Sequence, residues 1–353
     1  MRGILAAGTN RFTGIVDAGN PVPTLVSTYG LSGIPDGIFS WYEVSGTIYV
    51  FITAGSTNST YGFTTPSFGP NSFVIFNPLF LSGGNALPLI GPAGGTTAPD
   101  SAYLGLAGSV PDPADPSALL WFCHAENHSH WAGGGSSATI VSITLTTQPG
   151  IGYAGPLTRQ GVVIAGQMPL PVAPPARTIC NVGLPNVVVT GGFIYIFFTD
   201  WMDGALGPHV EQINVARAPL ASRGVPGSFF KWYNGAWSQD ALSVGPATNI
   251  IAQPPGTGGL VCPSVSYNAS LGQWVMFFGT TLGYHYTLST DLVTWSPPVL
   301  LFAYNGPLGL SSPLMVLRSP GLPYGQTNGT LFAHYLQFST GTQLPQMRDL
   351  ALA

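Results

Sequence analysis

The chain has 353 residues, only 6% of them Asp, Glu, Lys or Arg, and a formal net charge of −4. Its nine cations, with Lys231 the one lysine, are too few and too scattered for a phosphate-binding groove, which excludes nucleic acid as a partner. Forty-seven glycines and 33 prolines among plentiful aromatic and β-branched residues describe many turns between strands, and no stretch of ten or more residues has capped helical periodicity.

In chain order, the N-terminal MRGILAAGTNRF is a short apolar run. Asn10, Arg11 and Asp17 follow too soon for a signal core or a membrane span, so no membrane insertion is expected. The first hairpin is IFSWYEV, a Ser45-Gly46 turn and TIYVFIT. The second is AYLGLAG, a Pro-rich turn from Pro111 to Pro116 and LLWFCHAE. The third is NVVVT, Gly191-Gly192 and FIYIFFTD, and the fourth is PSVSY, a turn from Asn268 to Gly272 and QWVMFFGT. A fifth, more divergent copy ends in TLFAHYLQ. Gly, Pro and Asn supply the turn dihedrals between alternating apolar runs.

Aligning Tyr49, Trp121, Tyr195, Trp274 and Leu331 places the copies 57–79 residues apart, too long for a solenoid repeat and suited to one blade each of a propeller. A two-sheet sandwich is the competing arrangement of such hairpins. The expectation is all-β: one five-bladed β-propeller domain over residues 1–353, each blade a four-stranded antiparallel sheet. Approximate blade limits are 30–85, 86–165, 175–240, 246–303 and 308–345, and the N-terminal strand is a candidate to complete the last.

Propeller geometry gives the carboxylates meaning. The start of each innermost strand shares a rim with the loop leaving the second strand. Asp36 (GIPDGIFSW) and Asp100 (APDSAYLG) sit at inner-strand starts, whereas Glu126 (FCHAENHSHW), Asp200 and Asp203 (FFTDWMDG) follow second strands. All five are expected on one face. Converging carboxylates suit glycosidic cleavage, in which one acid protonates the leaving oxygen and another carboxylate activates water or attacks carbon. A third acidic group raises the acid's pKa. Trp131 and Trp201 on the same loops offer flat rings for a sugar face, and Arg177 could pair with a rim carboxylate. Asp112 and Asp115 in PDPADP read as turn residues.

His124, Glu126, His128 and His130 put four metal-ligand types in seven residues, but neither a P-C-x-x-C partner nor helical H-E-x-x-H spacing accompanies them. No metal is assigned, and the histidines read as donors to sugar hydroxyls or tuners of Glu126. No G-x-S-x-G or phosphate-cradling loop occurs. Cys123, Cys180 and Cys262 are odd in number and fall in or beside strands. They fit buried thiols at least as well as one disulfide and a remainder. Sequons at Asn58, Asn127, Asn268 and Asn328 permit a glycosylated, secreted product, and the low-charge surface also fits a chain that reaches the exterior within a virus particle.

The STDLVTW segment from Ser289 resembles the S-x-D-x-x-x-W hairpin of sialidases and other glycan-acting propellers, where Asp and Ser bind turn backbone and Trp packs between strands. With the five phrases, VARAP from Val215 and FKWYNG from Phe230, the chain resembles the five-bladed β-propeller glycoside hydrolases: arabinanases, arabinofuranosidases, xylosidases and fructosidases. It is similar, more loosely, to the bacterial endo-D-arabinanase propellers. That resemblance implies Asp36 as base or nucleophile, Glu126 as acid and Asp200 as the residue that tunes it. Asp100, His124, His128, His130, Trp131, Arg177, Trp201 and Asp203 are then candidates for substrate binding. It implies a polysaccharide or glycan partner, an extracellular or virion-associated setting, and no cofactor beyond a calcium ion on the propeller axis. A non-catalytic glycan-binding propeller, such as a virion or cell-surface adhesin or a structural protein of a larger particle, is the alternative.

Overall fold

The computed structural model describes residues 12–17, 35–54, 57–65, 77–79, 81–95, 97–129, 139–149, 157–167, 179–202, 210–303, 316–318, 325–327, 330–339 and 342–352. Every repeated phrase is the second strand of an antiparallel meander. Blade I comprises Pro35–Val44, Thr47–Ala54, Ser59–Thr65 and Asn77–Pro78. Blade II comprises Tyr103–Asp112, Asp115–Asn127, Thr139–Gln148 and Thr158–Ile164. Blade III runs through Ile179–Thr190, Phe193–Met202, Val210–Pro219 and Phe230–Tyr233, with Ala236–Asp240 as an extra edge. Blade IV comprises Val261–Asn268, Gln273–Gly279, Gly283–Ser289 and Val299–Ala303.

Blades II and III form one nine-stranded sheet, because residues 139–141 run parallel beside residues 179–181. Blade V is ordered Val316–Arg318, Thr330–Ser339, Thr342–Leu352 and then Phe12–Asp17. The outermost strand of the last blade therefore comes from the N-terminal end, and the blade extends past the expected limit at 345.

Strand alternation sends successive side chains into opposite seams between blades. In LLWFC, Leu119, Trp121 and Cys123 pack with Phe51 and Leu106 in the I/II seam, whereas Leu120 and Phe122 pack with Val182, Ile196 and Phe198 in the II/III seam. Tyr195 and Phe197 face Val265, Met276 and Phe278 of blade IV. Both faces of such strands are buried, which is why the phrases read as nearly unbroken apolar runs. Each large side chain so buried contributes ~1.5–3 kcal/mol.

Polar bonds tie the inner and second strands of neighbouring blades together. Ser40 Oγ donates to the Leu106 carbonyl at 2.6 Å, Cys262 N–H to Thr199 Oγ1 at 3.0 Å, and Val265 N–H to Asn186 Oδ1 at 2.8 Å. The inner strands of blades I to IV all carry a register shift, between 35/39, 106/108, 183/186 and 261/264. Bulges of this kind bend a strand and re-aim its side chains. Asn181, Leu184 and Cys262 take positive φ values of 82°, 51° and 58°. These are uncommon backbone states for residues with a Cβ, clustered where the blades converge.

Candidate functional site: the mouth of the propeller

The ladders define the mouth. Pro35 pairs with Ala54, Tyr103 with Glu126, Asn181 with Trp201, and Val261 with Gly279, so inner-strand starts and second-strand ends share one face. Asp36 is the second residue of its inner strand, and its side chain lies outside the described residues. His130, Trp131, Arg177 and Asp203 also lie outside them.

Glu126 is the centre of what is described. Its Oε1 accepts from His124 Nε2 at 2.9 Å and its Oε2 from His128 Nε2 at 2.6 Å. Leu184 N–H, aimed by the left-handed backbone of that residue, donates to His124 Nδ1 at 3.1 Å across the blade seam. Because Nδ1 accepts, Nε2 carries the hydrogen, and the tautomer that donates to Glu126 is set by blade III. Burial pushes the Glu126 pKa up, but the hydrogen bonds and charges of His124 and His128 outweigh it and hold the carboxyl at about 2. Glu126 is thus an ionised carboxylate in a half-buried setting.

Beneath it Tyr103, Leu184, Trp201, Val261 and Cys262 form an apolar floor drawn from three blades, with Tyr103 edge-on to the His124 ring at 5.7 Å. Gly183 makes the close approach possible: a Cβ there would lie 2.5 Å from His124 Nδ1 and 3.1 Å from the Trp201 ring. Gly183→Ala is expected to cost about 1–3 kcal/mol through overpacking and to release His124, giving a lower melting temperature and a raised Glu126 pKa by NMR titration.

Asp200 does not join this cluster. Thr199 bonds to blade IV and Trp201 lies in the floor, so the alternation turns Asp200 the other way, into the II/III seam. There it is 1% exposed and accepts from Asn214 Nδ2 at 3.2 Å. Burial raises its pKa to about 6, against the Lys231 charge and hydrogen bonds from Gln167 and Asn214. Lys231, fully buried, donates to the carbonyls of Gly166, Ser243 and Gly245 at 3.2–3.4 Å. Burial lowers its pKa to about 8. Asp100 is likewise committed elsewhere, for its buried Oδ2 accepts from Arg159 Nε at 2.5 Å on the outermost strand of blade II. Among the described residues Glu126 is bonded to His124 and His128, whereas the hydrogen bonds of Asp100 and Asp200 go to Arg159 and to Asn214.

A residue with no marked motif stands at the same rim. Glu211 pairs with Trp201 across the sheet, its Oε2 lies 2.2 Å from where a Gly259 Cβ would be, and its charge acts on Cys262. The sequence signal was its place opposite Trp201, legible only once the strand register is known.

The two most strongly shifted carboxyls give stability opposite pH slopes. Glu126, depressed from 4.5 to about 2, stabilises the fold above pH 4.5, and that contribution of about 3 kcal/mol is lost as pH falls toward 2. Asp200, raised from 3.8 to about 6, stabilises below pH 3.8, and a similar contribution of about 3 kcal/mol is lost as pH rises through 6. The sum of these two contributions is largest near pH 4–4.5. In denaturant titrations, Asp200→Asn should flatten the decline between pH 4 and 6, and an unchanged slope would contradict this account.

Other polar groups are structural. Asp291 Oδ1 accepts from Val293 and Thr294 N–H at 3.0 and 2.7 Å, while Trp295 packs edge-on against Phe197 at 6.1 Å. Asp112 bonds Ala114 N–H and Arg223. Asn127 and Asn268 are buried, with their amides donated to the Ala98 carbonyl and Thr327 Oγ1, so neither is open to glycosylation in the folded chain. Cys123 and Cys262 are buried free thiols. Among the described residues no group of three or more His, Cys, Asp or Glu could hold a metal ion.

No protein-family model matches the sequence, and no curated protein does. Solved structures do match. An α-L-arabinofuranosidase from Lactobacillus brevis superposes with a TM-score of 0.55 at 11% identity, over 89% of this chain and 90% of the other. An arabinanase of Bacillus subtilis gives 0.51 at 12% identity, over 95% and 97%. A thermostable family-43 glycoside hydrolase gives 0.53 at 11% identity, over 92% and 94%. The chain has their fold. Both the propeller architecture and the resemblance read from the repeated phrases are matched by these structures, while at such identity the likeness concerns architecture alone.

Proposed function

We propose that this chain is a glycoside hydrolase that takes a furanoside- or pyranoside-containing polysaccharide at the mouth of the propeller. The observation that carries the reading is Glu126, held between His124 and His128 above the Tyr103 and Trp201 floor, in a fold shared with arabinose-releasing enzymes.

His128 is the exposed partner, with 37% of its side chain in contact with solvent. A sugar hydroxyl that takes over its hydrogen bond removes one of the bonds depressing the Glu126 pKa. Burial, the largest influence on this group, then raises it, and Glu126 takes up a proton from water. That proton passes to the glycosidic oxygen as the bond to the anomeric carbon breaks. Water adds to that carbon and gives its proton to Asp36 as base. Asp200, whose bonds go to Asn214 and Gln167 in the II/III seam, would tune the acid only through its charge at a distance. Trp201 backs the site from its apolar floor and His124 positions Glu126, while His130, Trp131, Arg177 and Asp203 are the residues proposed to take hydroxyls. Asp100 supports the rim from its ion pair. The setting that fits such a substrate is extracellular or at a particle surface.

Glycan binding without turnover, as in an adhesin, is the second reading, and the ionised state of the unliganded Glu126 favours it. Sugar release from arabinans, fructans and xylans by the chain and by Asp36→Asn, Glu126→Gln and Asp200→Asn separates the two. Release that all three variants leave unchanged rejects the assignment, whereas retention on a glycan with no product from the parent chain favours the adhesin.

A further inference from the structure

The inner strands lead from the mouth to an opposite face, marked by the pairs Thr190–Phe193 in blade III and Asn268–Gln273 in blade IV. Nine residue steps separate Asn181 at the mouth from Thr190, roughly 25–30 Å at strand rise. Between blades III and IV this far face holds a pocket of about 390 Å³, lined by residues 188–190, Tyr267, Trp274 and residues 325–326. Its volume falls within the range of small-ligand sites.

Two aromatic rings shape it. Tyr267 and Trp274 are cross-strand partners whose ring centroids lie 5.3 Å apart at an interplanar angle of 67°, so they make a corner. Trp274 is half-buried and backed by the III/IV core, which fixes its ring. Tyr267 is 37% exposed, and its backbone N–H donates to the Gly325 carbonyl at 2.8 Å, which holds the far wall against it. Val189, 40% exposed, adds an apolar side. Thr190 and Gln326 bring a hydroxyl and a carboxamide, and among the described residues no Asp, Glu, Lys, Arg or His lines the space.

A fixed aromatic corner left open to water, with neutral hydrogen-bonding groups at its edge, suits a ligand with an apolar face and many uncharged hydroxyls. That is the chemistry of a neutral sugar ring. An anionic sugar would find no cation in the lining, and a purely aliphatic ligand would leave the Gln326 amide and Thr190 hydroxyl without a role.

We infer that the pocket between blades III and IV is a second glycan site, one that binds a neutral oligosaccharide on the face opposite the mouth. With no carboxylate among its described lining residues, the site is one for binding. A polysaccharide tethered there raises the local concentration of its other segments around the same molecule. The inference stands whether or not the mouth hydrolyses anything.

Its test is calorimetric titration and saturation-transfer NMR on the full chain with neutral arabino-, xylo- and fructo-oligosaccharides, and with oligogalacturonate as the acidic counterpart. Neutral oligosaccharides are expected to bind, and Tyr267→Ala and Gln326→Ala, both at exposed positions, to weaken that binding at least about fivefold. Trp274→Ala should weaken it further, scored only if its melting curve shows a folded chain. Val299→Ser, exposed and outside both sites, should keep this affinity. Binding unchanged by Tyr267→Ala and Gln326→Ala overturns the inference. So do an absence of binding by every neutral oligosaccharide, a preference for oligogalacturonate, and a Tyr267-dependent self-association with no sugar bound.

Discussion

Glu126→Gln is expected to lower polysaccharide turnover by about 10²–10⁴-fold, the range for removing a positioned general acid. The carboxamide nearly copies the shape of the carboxylate and can still accept from His124 Nε2 through its oxygen. On the side of His128, however, it presents an NH₂ group to a nitrogen that now donates to an oxygen at 2.6 Å. Neither a proton nor a negative charge then remains at the mouth from this residue. The companion variant is His128→Ala, which leaves the acid in place and deletes one of the bonds holding its pKa down. Its effect should appear in the pH profile of kcat/KM, with the limb assigned to Glu126 displaced upward. A profile identical to that of the parent chain would sever His128 from the chemistry even if Glu126 proved essential.

Lys231→Ala is expected to cost about 3–5 kcal/mol of stability, because each buried acceptor left unsatisfied costs about 1–3 kcal/mol. Three backbone carbonyls lose their donor, and Asp200 loses the one cation that favours its ionised form. The melting temperature should fall by ~5–10 °C at pH 7 and by less at pH 4, where Asp200 is already protonated. Adding Asp200→Asn to Lys231→Ala should restore part of the loss at pH 7, because no uncompensated charge is then left in the seam. A double variant as unstable as the single one would mean that the ammonium acts only through the carbonyls.

The architecture was legible because a propeller repeats one hydrophobic solution. TIYVFIT, LLWFCHAE, FIYIFFTD, QWVMFFGT and TLFAHYLQ all became second strands, since each must be apolar toward two neighbouring blades. Which rim residues meet was less legible. The position of Asp200 in the chain suggested a place beside Glu126, but its hydrogen bonds go to Asn214 and Gln167, partners that no local pattern names. Asp100 was decided by Arg159, 59 positions away, a pairing that no local pattern announces. Glu126 with His124 and His128 was visible because residues two apart on a strand share a face. The hold of Leu184 on His124, by contrast, depends on a bulge that residue types do not spell out.

The pairing of Phe12–Asp17 with Thr342–Leu352 also governs when the molecule can be finished. Residues 12–17 wait, during synthesis, until residues 342–352 have been made. Until then blade V lacks its outer member, and the long edge of Thr342–Leu352 is a template for strands of other chains as soon as it emerges. Deleting the first 17 residues should therefore leave the mouth's own residues in place and yet produce a protein that aggregates during refolding.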